Sequence, residues 1–211
     1  MAISGKLVPQ DPSDEPAIEL LKCVNPDFTP CDNSHYENLP HGWALCSLSD
    51  ICSDFIVPQR DKPKIFDGTI PWCRIEDIEG KYLNGSLSKR NVTLKTINEM
   101  GMRICPVGTV ICSCSATIGV QAIITTECCT NQTFIGLVCK HSVVYNEYLY
   151  YFLKSQTKHF FEIGTGTTIK YIAREKFENY KIPLPPINEQ KRIVKELEYN
   201  YSLLDGILSN L

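Results

Sequence analysis

Apolar positions fall mostly into short runs closed off by Gly, Pro, Asn and Asp, a pattern that predicts brief strands joined by turns. Residues 1 to 40 are rich in Pro, Asp and Asn and read as a lead-in segment with one short helix, Glu15 to Cys23, in whose first turn Pro16 wastes no backbone donor. An alternating apolar pattern opens the main body at Trp43, Leu45 and Leu48 and ends near Pro58. IPWCRIEDI, 70 to 78, alternates Trp72, Arg74, Glu76 and Ile78 on one side with Cys73, Ile75 and Asp77 on the other. VGTVICSCSATIGVQAII, 107 to 124, reads as strand, tight loop, strand, and TNQTFIGLVC, 130 to 139, as a further strand with polar residues at its start. The period then changes: YNEYLYYFLKSQTKHFFEIG, 145 to 164, repeats apolar groups at three- and four-residue steps and predicts one amphipathic helix ending at Gly164.

The last element is the most regular. Gln190, Val194, Leu197, Tyr201, Leu204, Leu208 and Leu211 follow steps of four and three, with Ile187 extending the register backwards, which is a coiled-coil seam. Pro183, Pro185 and Pro186 separate it from the preceding strand, and Asn188 can cap its first turn. Such a helix is about 35 Å long, and its apolar seam requires a covering helix. That helix is the one at 145 to 164, a second copy of the chain or a segment of a larger protein, and a register reaching Leu211 favours the last two. Gly206 lies off the seam and weakens the helix by about 1 kcal/mol. With no βαβ alternation, the expected fold is α+β and mostly antiparallel: a lead-in at 1–40, a strand-rich domain at 41–186 and a long coiled-coil-forming helix at 187–211.

Composition narrows the function. A chain of 211 residues, 43% hydrophobic, has the size of one globular domain with appendages. Nothing approaches eighteen consecutive apolar residues, and the N-terminus has neither the basic start nor the apolar core of a signal peptide, so a soluble cytoplasmic protein with no membrane association is expected. Eleven cysteines, odd in number and mostly beside apolar residues, read as reduced core thiols. The formal net charge of −3 is uneven: residues 1 to 60 carry nine acids and three bases, whereas residues 61 to 211 carry fifteen acids and eighteen bases. The C-terminal part can therefore present a positive face, and binding to nucleic acid by the chain alone is expected to be modest.

No motif assembles a reaction centre. EIGTGT, 162 to 167, has the glycines of a cofactor loop, but it follows an aromatic-rich helix pattern and leads into TTIKYI, so it reads as a helix cap and turn or a DNA-facing loop. LPPI, 184 to 187, lacks the polar residue and the aromatic that flank the prolines of an amino-methyltransferase motif. Cys112, Cys114, Cys128 and Cys129 are poorly spaced for zinc, since adjacent cysteines on a strand point to opposite faces. Binding chemistry is better represented. Arg74 offers a five-donor fork to a guanine edge or phosphate, or pairs internally with an acid. Ser113, Ser115 and Thr117 form a hydroxyl cluster that caps its own turn or meets DNA, and Asn131 and Gln132 can read adenine or satisfy loop backbone. Lys89 and Arg90 are phosphate-range charges or a solvated face, while Thr167, Thr168 and Lys170 surround flexible glycines suited to phosphate contact. The aromatics of 148 to 161 read mostly as packing.

In order along residues 40 to 211, GWALCSLSDI, IPWCRIEDI, PVGTVICSCSATIG, TNQTFIGL, YLYYFLKS, GTTIKYIAREKFENYKIPLPP and NEQKRIVKELE resemble a target recognition domain of the specificity subunits of type I restriction-modification enzymes. The last two pieces, a Pro-rich strand exit joined to a basic helix start, are the most specific. The resemblance implies sequence-specific binding of double-stranded DNA and no catalytic residue, metal or cofactor in the chain itself. It also implies docking to a modification (methyltransferase) subunit and, through it, to the restriction subunit. Family subunits resemble two such domains joined by paired helices, each reading half of a split target; this chain holds one and is expected to be a half-size subunit or a second half, with dimerisation through the seam restoring two sites. By carry-over, Arg74, Ser115, Thr117, Asn131, Gln132, Thr167, Thr168 and Lys170 become recognition candidates.

Overall fold

The computed structural model describes residues 5–31, 39–58 and 61–208. Helix α1 (Ala17–Val24) precedes β1 (Ala44–Ser47), the single turn α2 (Leu48–Ile51) and β2 (Cys52–Ile56). Then come β3 (Ile70–Cys73), a 3-10 turn at Ile75–Asp77, β4 (Tyr82–Leu83), β5 (Asn91–Val92) and α3 (Leu94–Glu99). Strands β6 (Val110–Ser113), β7 (Gln121–Ile124), β8 (Cys129–Thr130) and β9 (Phe134–Cys139) follow, before α4 (Asn146–Ser155), α5 (Thr157–Ile163), α6 (Arg174–Glu178), β10 (Lys181–Leu184) and α7 (Ile187–Leu208).

Three sheets result. The central one has the order β2-β9-β6-β7-β4, a second has β5-β3-β8, and β1 pairs with β10. All pairings are antiparallel except β3 with β8 and β4 with β7. The α+β, predominantly antiparallel class read from the strand pattern is the class observed.

Alternation of side chains explains why β6, β7 and most of β9 are buried at nearly every position. Val110, Cys112, Ile123, Ile135 and Leu137 face a core completed by Tyr148, Leu149, Phe152 and Leu153 of α4. Their neighbours Ile111, Ala122, Ile124 and Phe134 face Cys73, Cys105 and Cys128 on the other side. The small sheet repeats the device, with Trp72, Val92 and Cys129 turned to a third cluster that includes Ile97 of α3. A sheet covered on both faces needs apolar side chains in both registers. Helix α1 contributes Ala17, Leu20 and Leu21 to the first cluster, so part of the lead-in segment packs into the body.

Four local expectations are corrected. Residues 145–164 form two helices, broken at Gln156 (φ −92°, ψ 1°). The Gln121 amide donates to Leu153 O at 3.4 Å and the Thr157 hydroxyl to Gly119 O at 3.0 Å, and α5 turns so that Phe160 packs on Phe177 and Tyr180, with ring centroids 5.3 and 4.8 Å apart. The alternation of 70–78 stops at Cys73, because Asp77 is buried and accepts the backbone N–H of Arg74 at 2.7 Å and of Leu87 at 2.8 Å, folding the chain into a 3-10 turn. Asn188 does not cap α7: the helix starts directly after Pro186, whose carbonyl accepts Gln190 N–H at 2.9 Å, and the Asn188 side chain reaches Asp14 at 3.2 Å. Finally, the first members of the seam serve this chain's own body, since Gln190 and Val194 are buried together with Glu189 and Ile193. Leu197 is half-buried, Tyr201, Leu204 and Leu208 are exposed, and Leu211 lies outside the described residues.

Candidate nucleic-acid interface

Every candidate recognition residue lies on a connection between elements, and backbone hydrogen bonds tie these connections together one to the next. Lys89 closes the 86–89 turn in a left-handed conformation (φ 54°), with its N–H on Ser86 O at 3.0 Å. Arg90 O accepts Trp72 N–H at 2.7 Å, which sets this turn beside the end of β3. Cys73 O accepts Asn131 N–H at 3.0 Å, bringing in the 131–133 turn. Thr133 O then accepts Cys114 N–H at 2.7 Å, joining the loop between β6 and β7. That loop meets the 165–171 turn through Ala116 N–H on Lys170 O at 3.2 Å and Ile172 N–H on Cys114 O at 2.8 Å. Five segments distant in sequence thus form one continuous rim.

Local chemistry shapes each part. Ser113 is buried and serves its own loop, accepting Val120 N–H at 2.9 Å and donating to Thr117 O, so of the predicted hydroxyl cluster Ser115 is half-buried and Thr117 exposed. Asn131 accepts the Thr133 hydroxyl at 2.6 Å, an Asx-type turn that occupies one end of its amide, while Gln132 is exposed. In the 165–171 turn, Thr165 and Tyr171 exchange backbone hydrogen bonds at 2.9 and 2.8 Å, and Thr167 and Thr168 are exposed between them. Gly164 caps α5, its N–H on Phe160 O at 3.1 Å, and EIGTGT leads into the Thr165–Tyr171 bridge, not directly into a helix.

The cations are partly neutralised within the rim. Arg74 pairs with Glu76, and Arg90 Nη1 lies 3.7 Å from the same carboxylate. The Lys170 ammonium donates to Phe161 O at 3.2 Å and lies 4.2 Å from that ring's centroid, while Lys89 is exposed. Of the two readings of Arg74 from the sequence, the internal acid partner is the one observed, on a side chain that stays 30% accessible. Sequence reasoning missed the shared role of Glu76, the left-handed Ala116 (φ 59°) and the exposed Phe161, Ile169 and Tyr171. The spacing of Ile169 and Tyr171, two apart beside a glycine turn, was the available signal for the last.

The four cysteines considered for zinc do not converge. Cys112 and Cys114 belong to the α4-side core, Cys128 to the core between the sheets and Cys129 to the third cluster. Burial pushes the Cys114 thiol up to about 11 and that of Cys129 to about 12, while the Cys73 thiol and then burial raise Cys128. Such thiols resist the deprotonation that metal ligation or nucleophilic attack requires. Among the described residues, the larger clefts include one of about 650 Å³ lined by Pro16, Ile18, Cys31, His41 and Trp43, which converges no acid–base pair. No helix among the described residues is long and apolar enough to cross a membrane.

The model of the type I restriction modification DNA specificity domain matches residues 40–209. The chain is similar to the type I restriction enzyme MjaIX specificity subunit of Methanocaldococcus jannaschii, 31% identical over 173 residues that cover 80% of this chain and 40% of that protein. It is also similar to the EcoAI specificity subunit of Escherichia coli, 27% identical over 241 residues, covering 98% of this chain and 39% of that one. The crystal structure of the HsdS subunit from Thermoanaerobacter tengcongensis shares the fold, with a TM-score of 0.65 at 20% identity over 90% of this chain and 44% of that chain. The chain spans less than half the length of each of these proteins.

Proposed function

Because the chain belongs to the family of type I restriction modification DNA specificity domains, we propose that it reads one half of a bipartite duplex target and directs a modification subunit to it, without performing methyl transfer or cleavage. The observation that carries this reading is the rim. Backbone hydrogen bonds link, one to the next, the five segments that carry Arg74, Lys89, Arg90, Ser115, Thr117, Asn131, Gln132, Thr167, Thr168 and Lys170, which supports reading them as one surface. Amides and the arginine fork suit base edges in the major groove, and hydroxyls and lysines suit phosphates. The restriction subunit joins through the modification subunit.

Helix α7 supplies the second half of the reading. Its first turns belong to the recognition domain, whereas Tyr201, Leu203, Leu204, Ile207 and Leu208 are exposed beyond it. A helix from a second copy or from a larger protein covers this stretch and sets the distance to a second reader. An adaptor module that bound proteins alone would use the same stretch, but it would not need the rim.

Methylation mapping of a host genome, with the modification subunit expressed in the presence and absence of this chain, tests the proposal. The expected result is methylation at one defined half-site only when the chain is present. An unchanged methylome alongside an assembled complex overturns it. Lys170→Ala is expected to weaken binding across all sequences, whereas Gln132→Ala changes which sequence is preferred.

A further inference from the structure

Three large apolar side chains stand more than half exposed around the 165–171 turn: Phe161 at 53%, Ile169 at 61% and Tyr171 at 51%. Their sequence neighbours Phe160 and Ile172 are buried, so the core in this region is already filled. The backbone imposes the exposure. The mutual hydrogen bonds of Thr165 and Tyr171 close the turn, and Gly166 (φ 111°) lets it fold so tightly that a Cβ there would lie 2.4 Å from Ile169 O. Ile169 is left on the projecting part. The Lys170 ammonium, bonded to Phe161 O and lying over its ring, fastens the turn to α5, and the Ser115–Tyr171 bridge fastens it to the β6–β7 loop. Apolar groups held outward by a braced turn mark a surface that something covers.

We propose that this turn is a base-reading prong in which Ile169, backed by Tyr171 and Phe161, contacts the C5-methyl group of a thymine in the major groove; this rests on the DNA-reading function proposed above. The thymine methyl is the apolar feature of the major-groove edge, and an aliphatic side chain is its natural complement. Continuity with the rim puts the prong beside the hydroxyls of Thr117, Thr167 and Thr168, which supply phosphate contacts on either side. A wedge into the minor groove is disfavoured, because that groove draws in clusters of cations and residues 164–171 hold a single one, Lys170.

The test uses the full chain assembled with its modification subunit and the target found by methylation mapping. Wild type and Ile169→Ala are titrated with the target duplex and with duplexes in which each thymidine in turn is replaced by deoxyuridine, which deletes only the methyl group. At one position the deoxyuridine weakens wild-type binding about fivefold, Ile169→Ala weakens binding to the thymidine duplex to the same degree, and the two together have no further effect. Additive losses at every thymine, or a target without one, overturn the prong while leaving the DNA-reading function intact. So does a variant that binds every duplex as wild type does but releases the modification subunit, which would make the patch a protein-docking face. If no target is found, the DNA-reading function itself falls, and the prong with it. Because Ile169 is 61% exposed, the alanine variant empties no core.

Discussion

Glu189, 1% exposed at the start of α7, accepts the Trp43 indole N–H at 3.0 Å and the Gln10 amide at 2.7 Å. Burial raises its carboxyl above the usual carboxylate range, held back by those two donors and by Arg192. The folded protein therefore holds this proton more firmly than the unfolded chain does. The resulting stabilisation is full below the ordinary carboxylate pKa and is lost as pH rises through the folded value. Glu189→Gln removes the effect while retaining an acceptor. Its stability relative to wild type is expected to improve between about pH 4 and pH 7, as read from urea midpoints at each pH. Glu189→Ala instead strands the indole donor and is expected to cost about 2 kcal/mol at either pH. Gln190 illustrates the same rule without charge: its amide accepts Tyr145 N–H at 2.8 Å and donates to Val143 O at 3.0 Å and Pro185 O at 2.9 Å, so a polar residue in an apolar register is fully used.

At the scale of elements, α7 is one helix with two environments. Lys81 marks the transition, donating to Glu198 of α7 and to Glu147 of α4 at 3.4 Å. Glu147 also accepts the Tyr82 hydroxyl at 3.1 Å and that of Tyr145. Burial works to raise the Glu147 carboxyl, and the Tyr145 hydroxyl and Lys81 ammonium more than offset it, leaving it below the usual carboxylate range. One turn further on, the rings of Tyr151 and Tyr201 stack with centroids 6.0 Å apart. Beyond this clasp the apolar residues are exposed, so helicity there rests on intrinsic propensity and would gain from the covering helix proposed above. A Cβ at Gly206 would meet open space, so Gly206→Ala should stabilise this end by about 1 kcal/mol. Higher helical ellipticity and slower amide exchange over residues 199–208 are the expected readouts, with the rest of the protein unchanged.

The whole molecule carries a formal charge of −3, and the cations among the candidate recognition residues are Arg74, Lys89, Arg90 and Lys170, two of which share Glu76. Counterion release then limits the salt dependence. The plot of log affinity against log salt for this chain is expected to be no steeper than about −4, measured by DNA titration across a salt series. A steeper slope would mean that phosphates are contacted mainly elsewhere. With so shallow an electrostatic term, the proposed DNA reading would draw useful affinity from a second reader or a partner subunit. This ties the rim to the exposed end of α7 more closely than either feature does alone.

Local physics made much of this legible in the sequence. The four-and-three stepping from Gln190, the prolines before it and the strand–loop–strand of 107–124 depend on backbone periods and on residues that forbid or require certain dihedrals, and those are written in adjacent positions. Candidate residues were chosen by type, as hydroxyls, amides and cations beside turns, and type alone left binding, local capping, internal pairing and plain solvation as open roles. Contacts between distant segments decided the rest. Asp77 ended β3 at Cys73 by gathering N–H groups from two loops, and Phe160 turned α5 away from α4 to reach Phe177 and Tyr180. Gln190 and Val194 left the predicted seam for this chain's own core. The rim exists only because carbonyls of five separate segments accept one another's N–H groups. A sequence pattern records which face of an element is apolar, and tertiary packing alone chooses what that face meets.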